Sequence, residues 1–579
     1  MSHAHPLQDK FDDAISARID RWARGWRGPL VAALIALFAG LPGLFTVPPL
    51  DRDESRFAQA TAQMLETGDL TSINFQDSMR AKKPVGIHWL QAASVSLVSA
   101  AEDRQIWAFR IPSLLGAMLA AAACAWGAAA AFGPRTGLIA GAVLGATALL
   151  STEAFIAKTD AVLCGFVTLA MAALARLYLA QRGGPDAGRR ERLLLWVALA
   201  LGILTKGPVA PFTIGGCVVA LCAWDRDLKW LKDLGWGWGL IILAAVILPW
   251  SAAITVTTDG AFWTTAVGGD MAPKLAGGQE THGAPPGYHM LAGLLLAFPA
   301  TLLLPAAAVA AWQGRHDPGV RFAICWLVPI WLMFEILPTK LVHYPLPAYG
   351  ALAWLIAVAL RAPLGQRVRW IGVGLGVLAG LAYAAIAVVG LSRYGDDGDI
   401  TWTAVTVALY VIAALVGGYL VLRRAAASGL VVGGLLGILA HGALMGGLIP
   451  HLAPLWPGVR AARALGAAGL APLDGAPGPV AVTGYAEPSL VFSLGTGTAL
   501  VNPEAAAAAV AQGRPAIVEQ QEDAAFRTAL ADEGLAPREA GAISGVNYSE
   551  GKAVTLRLYR GEPQAQASPP AGDADEVAP

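Results

Sequence analysis

The sequence predicts a polytopic α-helical membrane protein carrying a small soluble α/β domain towards its C-terminal end. Three observations lead there: a shortage of charge, recurring apolar runs, and basic loops that alternate along the chain. Of the 579 residues, 56% are hydrophobic and only 14% charged, against about 25% charged in soluble globular proteins. Mean hydropathy is +0.54. The apolar runs reach about 18 residues or more, enough to cross a bilayer core. The 41 basic and 41 acidic residues cancel, so bulk electrostatics point to no nucleic-acid partner.

Reading the runs in order gives about thirteen spans: 29–47, 107–132, 136–153, 160–180, 193–207, 209–224, 236–256, 288–312, 319–337, 345–360, 368–391, 402–422 and 429–450. A basic segment (1–28) precedes the first run and no convincing small-residue cleavage site follows it, so that run is expected to be an uncleaved span. With this segment in the cytoplasm, every second loop must be cytoplasmic too. Those loops ("GPR", "QRGGPDAGRRER", "DRDLKWLKD", "QGRHDPGVR", "RAPLGQRVR" and "RR") are all basic, as the positive-inside rule requires. An odd number of spans leaves the C-terminus outside. The predicted organisation is therefore a transmembrane domain over 29–452 with its first outer loop at 48–106, a soluble domain over 453–561, and a disordered tail over 562–579. Within the soluble domain "PVAVTGY" and "AVTLRLYR" read as strands, and "EAAAAAVAQG" and "EDAAFRTALADEG" as helices. The "GTG" at 495–497 is a turn signal without the spacing of a nucleotide loop. The five cysteines lie in or beside apolar runs with no metal-binding spacing and read as small buried side chains.

Functional candidates are the charges that break the orientation rule on the outer side. "DRDESRFAQATAQMLETGDL" follows the first span, and as a helix it would set Asp53 and Arg56 on one face and Phe57, Thr61, Met64 and Leu65 on a more apolar one. "SMRAKKPVGIHWL" brings Lys82, Lys83 and His88 to a second interfacial helix. Asp160 opens the fourth span, where a carboxylate at mid-helix would cost about 2.5–3.5 kcal/mol but one at the N-terminus is favoured by the dipole. Lys206 sits between two spans, Lys340, His343 and Tyr344 between two others, and Lys274, Glu280, His282 and His289 on a long glycine- and proline-bearing loop. Each has a plain alternative: a solvated loop, a helix cap, or a lysine snorkelling to the lipid headgroups. Together they predict an outer cavity whose cations suit a lipid-linked phosphate and whose carboxylates suit activation of a hydroxyl nucleophile. The competing reading is a lipid or saccharide transporter, which would instead place polar groups near the bilayer midplane.

At these residues the sequence resembles the dolichyl-phosphate-mannose-protein mannosyltransferase and aminoarabinose transferase group. "DRDESRFAQATAQMLETGDL…AKKPVGIHWL", "RIPSLLGA", "AKTDA", "LTKGP" and "KLVHYPLPAY" look like that family's landmarks, in its order. The resemblance covers residues 30–360 and implies a GT-C-like fold in a bacterial inner membrane, with the N-terminus cytoplasmic and the C-terminus periplasmic. It implies inverting sugar transfer from a polyprenyl-phosphate donor to a lipid, glycan or protein acceptor at the outer face, as in modification of the cell envelope and its lipopolysaccharide. Carried over, Asp53 matches the loop aspartate and Asp160 a second acidic position, the two expected catalytic groups. Arg56, Lys83, Lys206 and Lys340 are the expected phosphate contacts, and Glu54, His88, His282, His343 and Tyr344 further substrate contacts. Lys82 stands where many relatives have a glutamate that, in some aminoarabinose transferases, shares a metal with a loop histidine. That departure counts against a divalent metal, so no cofactor is expected, and against lipid A as the acceptor.

Overall fold

The computed structural model describes residues 6–273 and 283–561, with side chains from residue 14 onward. The chain divides into two compact units, Met1–Leu452 and Ala453–Pro579. Among the described residues the first is almost wholly helical. Its helices are α1 (Pro6–Trp22), α2 (Arg27–Thr46), α3 (Asp53–Thr67), α4 (Gly86–Val98), α5 (Ile106–Phe132), α6 (Pro134–Ala146), α7 (Ala148–Glu153), α8 (Thr159–Ala180), α9 (Arg189–Lys206), α10 (Val209–Asp225), α11 (Trp236–Thr257), α12 (Tyr288–Leu296), α13 (Leu304–Gly314), α14 (Pro318–Ile336), α15 (Tyr349–Ala359), α16 (Gln366–Tyr394), α17 (Ile400–Leu422) and α18 (Ala426–Gly442).

A helix lies at each of the thirteen expected spans, but fewer meet the demands of a membrane crossing. Eight described helices are long and apolar enough, and nine if the bent α12–α13 pair counts as one. The reasons are local. The 136–153 run breaks at Thr147 into α6 and α7; α9 carries four charges in its first turn, Arg189 to Arg192; α10 and the 346–359 helix are short; and the 288–312 run bends by 114°.

Two polar clusters mark opposite ends of this helical unit. At one, Asp225 at the end of α10 takes a hydrogen bond from Tyr178 (2.7 Å) and ion pairs from Arg182 (2.9 Å) and Arg321. At the other, Asp160 at the start of α8 meets Lys206 at the end of α9. Helices α8, α9 and α10 therefore run between the same two levels. Glycines let the inner helices close up: a Cβ on Gly116 of α5 would lie 2.6 Å from Val162 Cα, and one on Gly165 of α8 would lie 2.6 Å from Gly116 O. Such small-residue contacts are how helices approach without a hydrophobic drive between them.

The first outer loop is folded, not merely solvated. Helix α3 buries Phe57, Thr61 and Met64, a two-stranded hairpin (β1, Asn74–Phe75; β2, Ser78–Met79) follows, and α4 packs back on α3. The Gln63 side chain exchanges two hydrogen bonds with the Gln76 backbone, at 2.8 and 2.9 Å. Indoles of Trp89 and Trp250 reach the carbonyls of Leu70 and Thr71, at 2.8 and 3.1 Å.

What fixes this loop to the spans is a fully buried ion pair. Arg110 on α5 donates to both oxygens of Glu54, each at 2.8 Å, and also to the carbonyls of Gly43, Leu44, Val47 and Pro48. The same carboxylate accepts from the backbone amides of Leu50 (2.8 Å) and Ala157 (2.7 Å). Glu54 was expected to touch substrate; with both oxygens engaged inside the protein and 1% exposure, it is instead a structural tie.

The second unit is a five-stranded sheet in the order β4-β3-β5-β7-β6, formed by β3 (Ala481–Thr483), β4 (Ala499–Leu500), β5 (Ala516–Glu519), β6 (Glu539–Asn547) and β7 (Lys552–Tyr559). β3 pairs parallel with β4 and β5, while β7 runs antiparallel to β5 and β6. Strand alternation splits the core: Val482, Ile517 and Leu556 face Leu465 and Leu490, whereas Ala481, Val518 and Tyr559 face Val510 and Phe526.

Removing one member of the Glu54–Arg110 pair strands a buried charge, which costs about 3–5 kcal/mol. Arg110→Met is therefore expected to lower the thermal unfolding temperature in detergent sharply. Adding Glu54→Gln to it should recover part of the loss, since the uncompensated carboxylate is then gone.

Candidate active site

The site is assembled from helix ends on the side of the unit that carries α3. Asp53 is the first residue of α3, a position where the helix dipole favours an anion. Its side chain is 57% exposed, and its nearest cation is Arg80, at 3.9 Å. The carboxylate opens to solvent yet is walled by protein. Partial desolvation would raise its pKa, but Arg80, then Lys158 and more weakly Lys83, outweigh this and hold it below the ordinary value. Arg56 lies one turn further along α3, close enough to Arg80 for their like charges to interact. Lys83, after the hairpin, is 3.5 Å from Asp270.

Beside this group lies a more buried one. Asp160 accepts from Lys206 at 2.5 Å and lies 3.8 Å from Lys158, which in turn sits 3.0 Å from Glu153 on α7. His343 completes it. Burial pushes His343 down to about 3, and the ammoniums of Lys158 and Lys206 add to that effect against the pull of Asp160. The ring is thus neutral: Nδ1 accepts from Lys158 Nζ at 3.3 Å, which leaves the proton on Nε2, 3.6 Å from Asp160. Two carboxylates, two ammoniums and a neutral imidazole make a compensated cluster. Tyr344 packs edge-on against His343, and its ring lies under Lys206, 5.6 Å from ring centroid to Nζ.

The structure thus brings Asp53, Arg56, Lys83, Asp160, Lys206, His343 and Tyr344 to one region. Other expected residues are placed differently. Lys340 is 3% exposed, and its ammonium donates to the carbonyls of Phe334, Glu335 and Leu337. It caps the C-terminus of α14, so it is not presented to a phosphate. His88 is 1% exposed, bonded to Thr61 at 2.8 Å and packed on Phe57; it is a core histidine, not a substrate contact. Asp160 is 5% exposed and already holds two ammoniums, so it acts as their counter-ion and is poorly placed as a base. His282 lies outside the described residues. Among the described residues no three His, Cys, Asp or Glu side chains gather as a metal-ligand set.

Sequence reasoning missed Arg80, Glu153 and Asp270 as members of the site, and gave Lys158 no role there. Lys158 carried a signal, since it breaks the orientation rule and sits inside "AKTDA". Glu153, six residues before the matched Thr159, carried none.

Comparison with known proteins agrees with this architecture. Residues 82–252 match the family model described as dolichyl-phosphate-mannose-protein mannosyltransferase. The chain is 30% identical over 360 residues to the undecaprenyl phosphate-alpha-4-amino-4-deoxy-L-arabinose arabinosyl transferase of Pseudomonas aeruginosa (strain UCBPP-PA14), a match over 60% of this chain and 63% of that one. The transferase of the same name from Pectobacterium carotovorum subsp. carotovorum is 29% identical over 377 residues, 62% of this chain and 65% of that one. The match therefore spans less than two thirds of these relatives' length. ArnT from Cupriavidus metallidurans superposes with a TM-score of 0.72 in its apo state, covering 92% of this chain and 97% of that one. Bound to undecaprenyl phosphate it gives 0.73, covering 91% and 97%. Sequence identity is 19% in both, so this likeness is one of fold. Over residues 82–252 the chain is thus similar in sequence to the dolichyl-phosphate-mannose-protein mannosyltransferase family, and over most of its length its fold is ArnT-like.

Proposed function

We propose that this protein is an inverting glycosyltransferase. It moves a sugar from a polyprenyl-phosphate carrier to a lipid, glycan or protein acceptor at the outer face of a bacterial inner membrane. The observation that carries this reading is Asp53: a solvent-open carboxylate at a helix N-terminus, flanked by the cations Arg56, Arg80 and Lys83. In this role Asp53 takes the proton of the acceptor hydroxyl as that oxygen attacks the anomeric carbon. The bond from the anomeric carbon to the phosphate oxygen breaks on the opposite side, which inverts the configuration. Its electron pair leaves on the phosphate, where the cations offset the growing charge without a strong general acid. Asp160 and Glu153 keep the buried Lys158 and Lys206 in place beside that centre.

The same reading sets the topology at thirteen crossings. Helix α9 has 18 residues, about 27 Å at the α-helical rise, and it joins the level of Arg182 and Asp225 to that of Asp160. Its first-turn charges then lie at the cytoplasmic surface, and the odd count puts the second unit outside.

The test is mass spectrometry of envelope lipids, glycans and proteins from cells lacking the protein, complemented with wild type or Asp53→Asn. A sugar mass should return with wild type only, and transfer by the variant should fall by about 10²–10⁴-fold at unchanged thermal stability. Normal transfer by Asp53→Asn would remove Asp53 from the mechanism. Transport of an intact lipid-linked sugar by the purified protein, with no new glycosidic bond, would favour a flippase. Asp160→Asn should weaken both stability and transfer, because it leaves Lys206 and Lys158 short of a counter-ion.

A further inference from the structure

At the end of the helical unit away from the site, α1 packs on α2, α6 and α18. Arg135, the second residue of α6, donates to Ser16 (3.0 Å) and Asp20 (3.4 Å) and so holds α1 in place. The level is that of Arg182 and Asp225, since Pro134 at the start of α6 shares a recess with Arg176 and Pro185. Beneath α1 a groove of about 410 Å³ opens between three spans, within the ~300–1,000 Å³ range of small-molecule sites. Its walls are Leu34 from α2, Leu138, Ala142 and Ala146 from α6, and Gly434 and Ile438 from α18, and it ends on Pro299. Water finds no hydrogen-bond partners along such walls.

The length of the groove narrows its occupant. From Leu138 to Ala146 α6 rises about 12 Å, close to the ~15 Å that one leaflet contributes to a hydrocarbon core about 30 Å thick. The groove thus follows the path of a single fatty acyl chain, and a polyprenyl tail would overrun it. Its mouth is basic. Arg18 and Trp22 of α1 line it, and residues 14–28 carry Arg18, Arg21, Arg24 and Arg27 against Asp20 alone, which Arg135 engages. Trp22 and Trp26 are exposed, as befits side chains at headgroup level. Helices α2, α6 and α18 all begin here, and their dipoles add positive potential. The orientation rule accounts for the arginines by themselves; it does not account for a leaflet-deep groove opening beneath them.

We propose that this groove binds an anionic phospholipid of the cytoplasmic leaflet, with one acyl chain along α6 and α18 and the headgroup phosphate at Arg18. Basic pockets between spans at that face hold anionic headgroups through the same combination. The lipid fills the space between α2, α6 and α18 and ties α1 to them. The leaflet follows from the orientation proposed above, whereas the site is independent of the sugar-transfer reading.

The experiment uses the full-length protein, delipidated in detergent and supplied with phosphatidylglycerol or phosphatidylcholine of the same acyl chains. Native mass spectrometry reads the lipid retained, and thermal unfolding is followed alongside. One phosphatidylglycerol per chain should be held at least about fivefold more tightly than phosphatidylcholine, with a raised unfolding temperature. Arg18→Gln should remove most of that preference. A Cβ on Gly434 meets nothing within 4 Å, so the ring of Gly434→Phe enters the groove without moving the backbone. That variant should lose both lipids at unchanged lipid-free stability, and Ala142→Leu gives a second reading of the same groove. Equal retention of the two lipids by the wild type overturns the anionic assignment. Undiminished retention in both groove variants overturns the site. An exposed cysteine on α1 (Ala17→Cys) should react with an impermeant maleimide only from the cytoplasmic side; reaction from the other side overturns the leaflet and leaves sugar transfer untouched.

Discussion

Arg110 and Glu54 share a site with no access to water, and much of the geometry at this end of the protein follows from them. The guanidinium joins four carbonyls at the end of α2 and the turn after it to a carboxylate on α3. The carboxylate then passes the connection on to Ala157, immediately before Lys158. Taking both charges out of water costs several kcal/mol per ion, and a hydrophobic pair would have served stability as well. What such a pair could not supply is direction. A planar fork and a carboxylate lock in one geometry, and Asp53, the residue just before Glu54, inherits it. The exposed carboxylate is held by its buried neighbour.

The two halves of the site handle charge differently. Around Asp160, ammoniums and carboxylates are equal in number, close, and buried, and burial, helped by the two ammoniums, keeps His343 neutral. That half is a rigid wall. Around Asp53 the cations are looser: Arg80 lies 3.9 Å away, beyond direct hydrogen-bond reach, and Lys158 and Lys83 act from further off. An incoming anion can complete that half where it cannot improve the other. In this arrangement the phosphate would also screen Asp53 from Arg80 and make the carboxylate a better base once the donor is seated.

Charge that breaks the positive-inside rule was a sound guide to which region of the sequence carries the site, and a poor guide to what each residue does there. Asp160 was legible as a carboxylate opening an apolar run, Asp53 and His343 as parts of ionisable clusters in family-like motifs, and Lys206 as a basic group on the wrong side for its topology. Lys340 shares that property, yet its ammonium turns back onto the end of α14. His88 and Glu54 look as reactive in one dimension as Asp53 does, and both face inwards. Direction is set by helix phase and by partners dozens of residues away, such as Arg110 for Glu54, and neither is visible in a local motif. Arg80 was lost for another reason. It follows a hairpin whose strands have two residues each, too short for any alternation to show. The breaks inside the runs were not legible: apolar composition continues through Thr147 and through the sharp bend at 297–299, where the helices do not.

The site's dependence on helix ends explains why so many of its charges are tolerated in an apolar unit. Asp53 and Asp160 occupy the first turns of α3 and α8, and Lys206 ends α9. Each charge faces the dipole end of opposite sign, and Lys340 satisfies carbonyls that α14 would otherwise leave open. Arg56, one turn into α3, and Glu153, at the C-terminal end of α7, instead sit where the macrodipole opposes them. A residue kept in place against its local field needs an external partner to justify its cost. In the proposed reaction the donor phosphate would be that partner for Arg56, and its charge would offset the repulsion between Arg56 and Arg80.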